Sequence, residues 1–195
     1  MSDNLSILDD DMYDRSTELF EIVKEGSEFL KELKERFSGK VLVDLGCGQS
    51  SSGYKLACIL GSKGYVGIDS NGVDIYGIKH LVNSKLDKEK PEKETSDWQP
   101  IPYSLVIEDA LSFLRRVPDN RVCVSTFGID GMVMYEASRE YVDQSCDEIT
   151  RVIDPDGAQI ANDTGSVLIG SDLEDIRDND FYTKSRLVFS VHKKG

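Results

Sequence analysis

The sequence predicts an α/β protein, doubly wound, with a mostly parallel sheet covered on both faces by helices. Three observations carry this. Apolar runs of strand length alternate with helix-like stretches at least five times along the chain. The first such run, VLVDL at 41–45, is almost continuously apolar, as a strand buried on both faces must be. It breaks directly into GCG, a turn of the kind that leads from a strand into a helix.

The elements follow in order. Residues 1–14 read as a polar lead-in. From Ser16 to Phe37 the residues Leu19, Phe20, Ile22, Val23, Phe29, Leu30, Leu33 and Phe37 fall at helical spacing, with Ser16 as cap and Gly39 as stop. After VLVDL, residues 52–61 (SGYKLACILG) predict a helix, 65–69 (YVGID) a strand and 73–82 (VDIYGIKHLV) a helix. Residues 83–102 carry charges and three prolines, which predicts a surface loop whose Trp98 either anchors it or meets a substrate. The alternation resumes with YSLVIED as strand, ALSFLRRV as helix, RVCVSTFG as strand and SREYVDQSCDEITRVI as helix. DPDG is a turn, AQIAND a strand and SDLEDIRDN a short helix. The tail DFYTKSRLVFSVHKK alternates like one long strand or two shorter ones, as an antiparallel edge would. The division is an N-terminal segment and helix over 1–39, a candidate lid, then one domain over 40–195 with an inserted loop at 83–102.

Size and charge narrow the function. A chain of 195 residues suits one domain with a real core. The formal net charge of −13 repels polyphosphate, and the densest basic run, KLDKEKPEKE, is interleaved with acids, so nucleic acid is a disfavoured partner. No apolar window reaches the roughly 20 residues of a membrane span, so no membrane association is expected. The opening MSDNLSILDDDMYD lacks the order of a secretory signal, and Cys47, Cys58, Cys123 and Cys146 show no CxxC spacing. Reduced thiols, no metal and a cytoplasmic location are the expectation.

In parallel α/β sheets, ligands lie beyond the carboxyl ends of the strands. Gly46 and Gly48 sit there, able to bend with positive φ and to let a ligand approach without meeting a Cβ. Asp69 ends the second strand, 21 residues beyond Gly48, where a carboxylate can accept both hydroxyls of a ribose. Asp109 ends the third strand and can accept from an adenine amine, while Ala110 offers a backbone N–H to the ring. Each acid alone reads as a helix N-cap; three at successive strand ends read as a site. A dinucleotide fingerprint would need a third glycine three residues after Gly48, yet Gly53 comes five later, and Asp44 would face an anionic pyrophosphate. A ligand carrying a sulfonium, an ammonium, a ribose and an adenine suits all three acids, and that ligand is S-adenosylmethionine.

Over roughly residues 40–193 the chain resembles the class I (Rossmann-like) S-adenosylmethionine-dependent methyltransferases. VLVDLGCG resembles their first motif, YVGIDSN the second, IEDAL the third, VCVSTFGI the fourth-strand motif and DEITRVIDPDGAQI the entry to the fifth strand. The resemblance implies a seven-stranded sheet with its last strand antiparallel. It implies that Asp44, Gly46, Cys47 and Gly48 surround the methionine part of the cofactor. Asp69 would hold the ribose with Ser70 beside it, Asp109 and Ala110 the adenine, and Thr126 and Phe127 would lie near the methyl group or the adenine edge. Gln49-Ser50 departs from the third small residue of many relatives.

Methyl transfer from a sulfonium needs positioning more than a base, so no catalytic residue is assigned. His80 and His192 read as structural, and Asp130 and Asp163 as loop or cap acids standing near the acceptor by analogy. Ser125-Thr126-Phe127-Gly128 lacks the Asn/Asp-Pro-Pro-aromatic pattern of amino-group methylating relatives, which lowers the case for a nucleobase acceptor. The expected acceptor is a small molecule or a protein side chain; the oligomeric state is left open. The alternatives are a non-catalytic S-adenosylmethionine-binding partner protein and an NAD-type oxidoreductase. The N-terminal segment could supply a lid, with Tyr13 or Phe20 closing over the cofactor, or its helix could simply pack on the sheet edge; both readings are open.

Overall fold

Leu30, Leu33 and Phe37 recur at helical spacing and are buried, so this stretch coils into α1 (Glu28–Phe37) and lays one stripe on a sheet. In the computed structural model the described residues are 28–48, 52–70, 99–126, 137–162, 169–176 and 187–193. After α1 come β1 (Val41–Leu45), α2 (Ser52–Ile59), β2 (Gly64–Asp69), β3 (Tyr103–Ile107), α3 (Ala110–Leu114), β4 (Val122–Ser125), α4 (Arg139–Val152), β5 (Gln159–Asn162), β6 (Leu173–Ile176) and β7 (Leu187–His192).

The strands form one seven-stranded sheet in the order β3-β2-β1-β4-β5-β7-β6. β1 to β5 pair in parallel, and β7 runs antiparallel to both β5 and β6. The chain winds outward from β1 in one direction to β3 and then returns to β4 on the other side. The strand order reverses between β1 and β4, and in sheets of this kind ligands bind there, in a crevice beyond the carboxyl ends of the strands.

Pleating divides the sheet's side chains between two cores. Leu42, Tyr65, Cys123, Ile160, Phe189 and Val191 face α1 and α2, where Leu33, Phe37, Tyr54 and Leu56 are buried. Val43, Leu45, Ile68, Val122 and Val124 face α3 and α4, where Leu114, Ile149 and Val152 are buried. On the first face Phe189 receives Phe29 and Phe37 edge to face, with ring centroids 6.1 and 6.5 Å away. Each such pair adds about 1 kcal/mol beyond its area. The described part of the N-terminal helix thus packs on the sheet face; residues 1–27, with Ser16, Tyr13 and Phe20, lie outside the described residues. So do the helix expected over 73–82, with His80, and the loop residues 83–98 with Trp98.

Two expectations are corrected. Leu173–Ile176 is a strand, not part of a short helix. Leu173 and Ile176 are three apart, a spacing that fits a helix face, but here Leu173 joins the α3/α4 core while Ile176 packs against the other. Antiparallel pairing to β7 decides it, reinforced by Ser190 Oγ donating to Asp175 Oδ1 at 2.9 Å. The second correction concerns β7, which lies inside the sheet between β5 and β6 and leaves the edge to β6.

Candidate functional site

The turn after β1 is built by hydrogen bonds to the end of β2. Gly46 and Cys47 both donate their N–H to the carbonyl of Ile68, at 2.8 and 3.0 Å. Gly48 donates to Asp69 Oδ2 at 3.0 Å. Gly46 and Gly48 hold φ of 71° and 53°, a region that costs a residue with a side chain about 1 kcal/mol or more. Among the described residues, a Cβ placed on Gly48 would meet nothing within 4 Å at the carboxyl edge of the sheet. Three successive amides are therefore spent on the protein itself rather than offered to an anion.

Asp44 is the most constrained group. Alternation along β1 puts it on the α1/α2 face with Leu42, and it is 4% exposed. The Tyr65 hydroxyl donates to Asp44 Oδ2 at 2.7 Å, and Ser125 on β4 hydrogen-bonds the same carboxylate. A Cβ on Gly53 would stand 2.0 Å from Asp44 Oδ2 and 3.2 Å from the Tyr65 hydroxyl. The late glycine of GCGQSSSG is there to let α2 close over this carboxylate. Burial pushes the Asp44 carboxyl up to about 6, against the lowering effect of the Tyr65 and Ser125 bonds and with a smaller upward push from Asp69. Cys47 is packed over Gly67, where a Cβ would come within 2.8 Å of its Sγ. Burial and the two carboxylates drive its thiol up to about 12, so it is a protonated packing group at neutral pH. All four cysteines are free thiols.

The predicted residues divide. Gly46, Cys47, Gly48 and Asp69 come together at the crevice, and the exposed Ser70 follows directly. Asp44 belongs to the same cluster, with its carboxylate turned inward toward Tyr65 and Ser125. Asp109 is the N-cap of α3, accepting from Ser112 N at 2.8 Å, and Tyr141 of α4 donates to its other oxygen at 2.7 Å. Burial raises the Asp109 carboxyl, but the bonds from Ser112 and Tyr141 outweigh it and hold it below its ordinary range. Ala110 is buried at the first turn of α3, where the helix leaves N–H groups without intrahelical acceptors. Thr126 is fully buried: its N–H and hydroxyl bond the carbonyl of Ile160 at 2.9 and 3.4 Å, and Gln159 donates to the hydroxyl at 3.3 Å. Its side chain joins β4 to β5. Phe127, Asp130 and Asp163 lie outside the described residues. His192 faces the Ile153 carbonyl at 3.2 Å, a structural contact.

Sequence reasoning missed Tyr65, Tyr141 and the purpose of Gly53. The signal for Tyr65 was register: in the parallel pair, Leu42 stands beside Tyr65 and Asp44 beside Gly67, so a hydroxyl on β2 lies on the face that Asp44 shares.

No protein-family model matches the chain, and no curated protein matches it at significant similarity. Solved structures do resemble it. Magnesium protoporphyrin IX methyltransferase from Synechocystis, solved with bound S-adenosylmethionine, is 14% identical with a TM-score of 0.52, over 91% of this chain and 81% of that one. A protein of Methanococcus maripaludis, provisionally assigned as an S-adenosyl-L-methionine-dependent methyltransferase, is 14% identical with a TM-score of 0.53, over 95% and 91%. WbdD gives a TM-score of 0.54 at 14% identity over 85% of this chain, which spans only 40% of that larger one. Among the described residues no helix is long and apolar enough to cross a membrane. The sheet order, the antiparallel β7 and these neighbours together give the chain the fold of the class I (Rossmann-like) S-adenosylmethionine-dependent methyltransferases.

Proposed function

We propose that the protein binds S-adenosylmethionine at the carboxyl end of β1 and β2 and transfers its methyl group to a small-molecule or protein acceptor. The observation that carries this is the consumption of the turn's amides. The N–H groups of residues 46–48 are bonded to Ile68 and Asp69, and two carboxylates stand around them. A pyrophosphate needs unspent N–H donors and is repelled by such a site, whereas a cationic ligand is favoured by it. A steric feature supports it too: Gly48 carries no Cβ, and among the described residues nothing lies within 4 Å of where one would stand.

When bound, the cofactor supplies an electrophilic methyl on a sulfonium, a good leaving group. The chain's own work is placement. Asp69 holds the glycine turn and stands where a ribose would be gripped, Ser70 lies beside it, and Ala110 presents the start of α3 toward the base. Asp44 contributes charge from beneath the turn, and Cys47 seals the floor against Gly67. With no base assigned, an acceptor that reaches the site unprotonated is sufficient. The reading places the protein in the cytoplasm, on the strength of four thiols without disulfide spacing.

Titration calorimetry with S-adenosylmethionine, S-adenosylhomocysteine and NAD tests the binding step. Saturable binding of the first two and none of NAD is the expected result; NAD binding alone would overturn it. Incubation with methyl-labelled cofactor in a lysate, split into protein, nucleic-acid and metabolite fractions, then tests transfer. Label in the protein or metabolite fraction is expected, and no label in any fraction would leave a binding protein without turnover.

A further inference from the structure

The cluster beneath the glycine turn has more order than packing requires. Asp44 is a carboxylate inside the protein, and its neighbours come from four elements. Tyr65 approaches from β2, Ser125 from β4, Cys47 from the turn, and Gly53 from α2. Among the described residues, the charge of Asp69, at the end of β2, also acts on it. An apolar residue at 44 would satisfy the sheet without these arrangements. We propose that Tyr65 is a positioning residue which, with the missing Cβ of Gly53, clamps the Asp44 carboxylate beneath the turn as a charge favouring the sulfonium of S-adenosylmethionine over the neutral thioether of S-adenosylhomocysteine. The inference rests on the cofactor reading above and goes beyond it by assigning a discrimination to particular side chains.

The geometry supplies both halves. Tyr65 Oη stands 2.7 Å from Asp44 Oδ2, and the Tyr65 ring is braced edge to face by Tyr54, with ring centroids 5.6 Å apart. Tyr54 is itself tied to the Ile101 backbone, its hydroxyl donating to the carbonyl at 2.9 Å and accepting from the N–H at 3.1 Å. The clamp therefore stands on a rigid base. The two ligands share their ribose, adenine and amino-acid groups and differ in one positive charge at sulfur. A buried carboxylate separates them through the field it casts, about tenfold at the distances and effective dielectric of such a site. That separation exists only while the carboxylate is ionised. Tyr65 favours the ionised form by donating to it, against the burial that disfavours it.

The test is calorimetric titration of both ligands from pH 5 to 9, on wild type, Tyr65→Phe and Asp44→Asn. In wild type the affinity ratio of S-adenosylmethionine to S-adenosylhomocysteine should climb to a plateau about tenfold above its acid limit, rising between the free protein's value of about 6 and the complex's, about one pH unit lower. In Tyr65→Phe the same rise should appear about one pH unit higher. In Asp44→Asn it should be absent. A merely structural tyrosine would weaken both ligands equally at every pH, and that result overturns the proposal. So does a flat ratio in wild type that binds both ligands, which leaves the cofactor reading intact; binding of neither removes both. Should Tyr65→Phe fail to fold, Tyr65→Met takes its place, with the same upward displacement of the midpoint expected and an unmoved midpoint overturning the proposal. Titration at pH 6 in two buffers of different ionisation enthalpy should show proton release with S-adenosylmethionine in excess of that with S-adenosylhomocysteine, and equal release overturns the proposal.

Discussion

Replacing Asp44 by Asn should make the ligand-free protein more stable, and only above a definite pH. The folded carboxyl sits at about 6 and its ordinary value is 3.8, so the folded state holds its proton more tightly than the unfolded state. Between about 3.8 and 6 the unfolded chain has lost a proton that the native chain keeps, and stability falls as pH rises through that window. Above it the full cost is present: a displacement of about two pH units corresponds to roughly 3 kcal/mol. Asn keeps an acceptor for the Tyr65 hydroxyl and does not titrate. Asp44→Asn should therefore match wild type near pH 4 and exceed it by up to about 3 kcal/mol at pH 7.5, or about 6 to 12 °C in Tm for a chain of this size. Urea unfolding followed by circular dichroism at a series of pH values measures this. A variant less stable than wild type at pH 7.5, or a gap unchanged from pH 4 to 7.5, would refute the reasoning, because the carboxylate would then be a net stabilising group.

Three further perturbations bear on the same site. Gly53→Ala puts a Cβ 2.0 Å from Asp44 Oδ2, and the clamped carboxylate cannot swing aside; a loss of about 1 to 3 kcal/mol is expected by chemical denaturation, with less than additive loss in the Gly53→Ala, Asp44→Ala pair. Asp69→Asn should weaken S-adenosylmethionine about 30- to 150-fold in calorimetry while the Tm changes little. Asp109→Ala removes the cap of α3 and should cost about 1 kcal/mol in denaturant unfolding, whatever its effect on ligand.

The order of elements was legible because burial on both faces leaves a mark on composition. VLVDL and YVGID could hardly be anything but interior strands, and the glycine turn follows the first as the crevice requires. β6 was not legible, since two apolar groups three apart mark a helix face, and only pairing with β7 makes the segment a strand. The site was legible in position but not in direction. Strand ends place Asp44, Asp69 and Asp109 toward one rim, but whether a carboxylate meets solvent depends on neighbours that are distant in sequence. Tyr65, Gly53 and Ser125 close over Asp44; Ser112 and Tyr141 occupy Asp109; Asp69 is left at the crevice, holding Gly48.

These different fates follow from one feature of the sheet. Asp44 and Asp69 lie on the same face of adjacent strands, because Asp44 pairs with Gly67 and Asp69 is two residues further along. The difference between them is depth. Asp44 lies one residue before the end of β1, under the start of α2, while Asp69 is the last residue of β2 and reaches past the covering helix to the turn. A glycine at 53 is what lets the deeper acid exist at all. A glycine at 67 makes room for Cys47 between the two. The resulting site has an acid at its rim and a second acid beneath its floor, with no unspent amide between them at residues 46–48. Under the proposed reading, that order of charges would favour a cationic ligand over a pyrophosphate before any contact specific to a nucleoside is made.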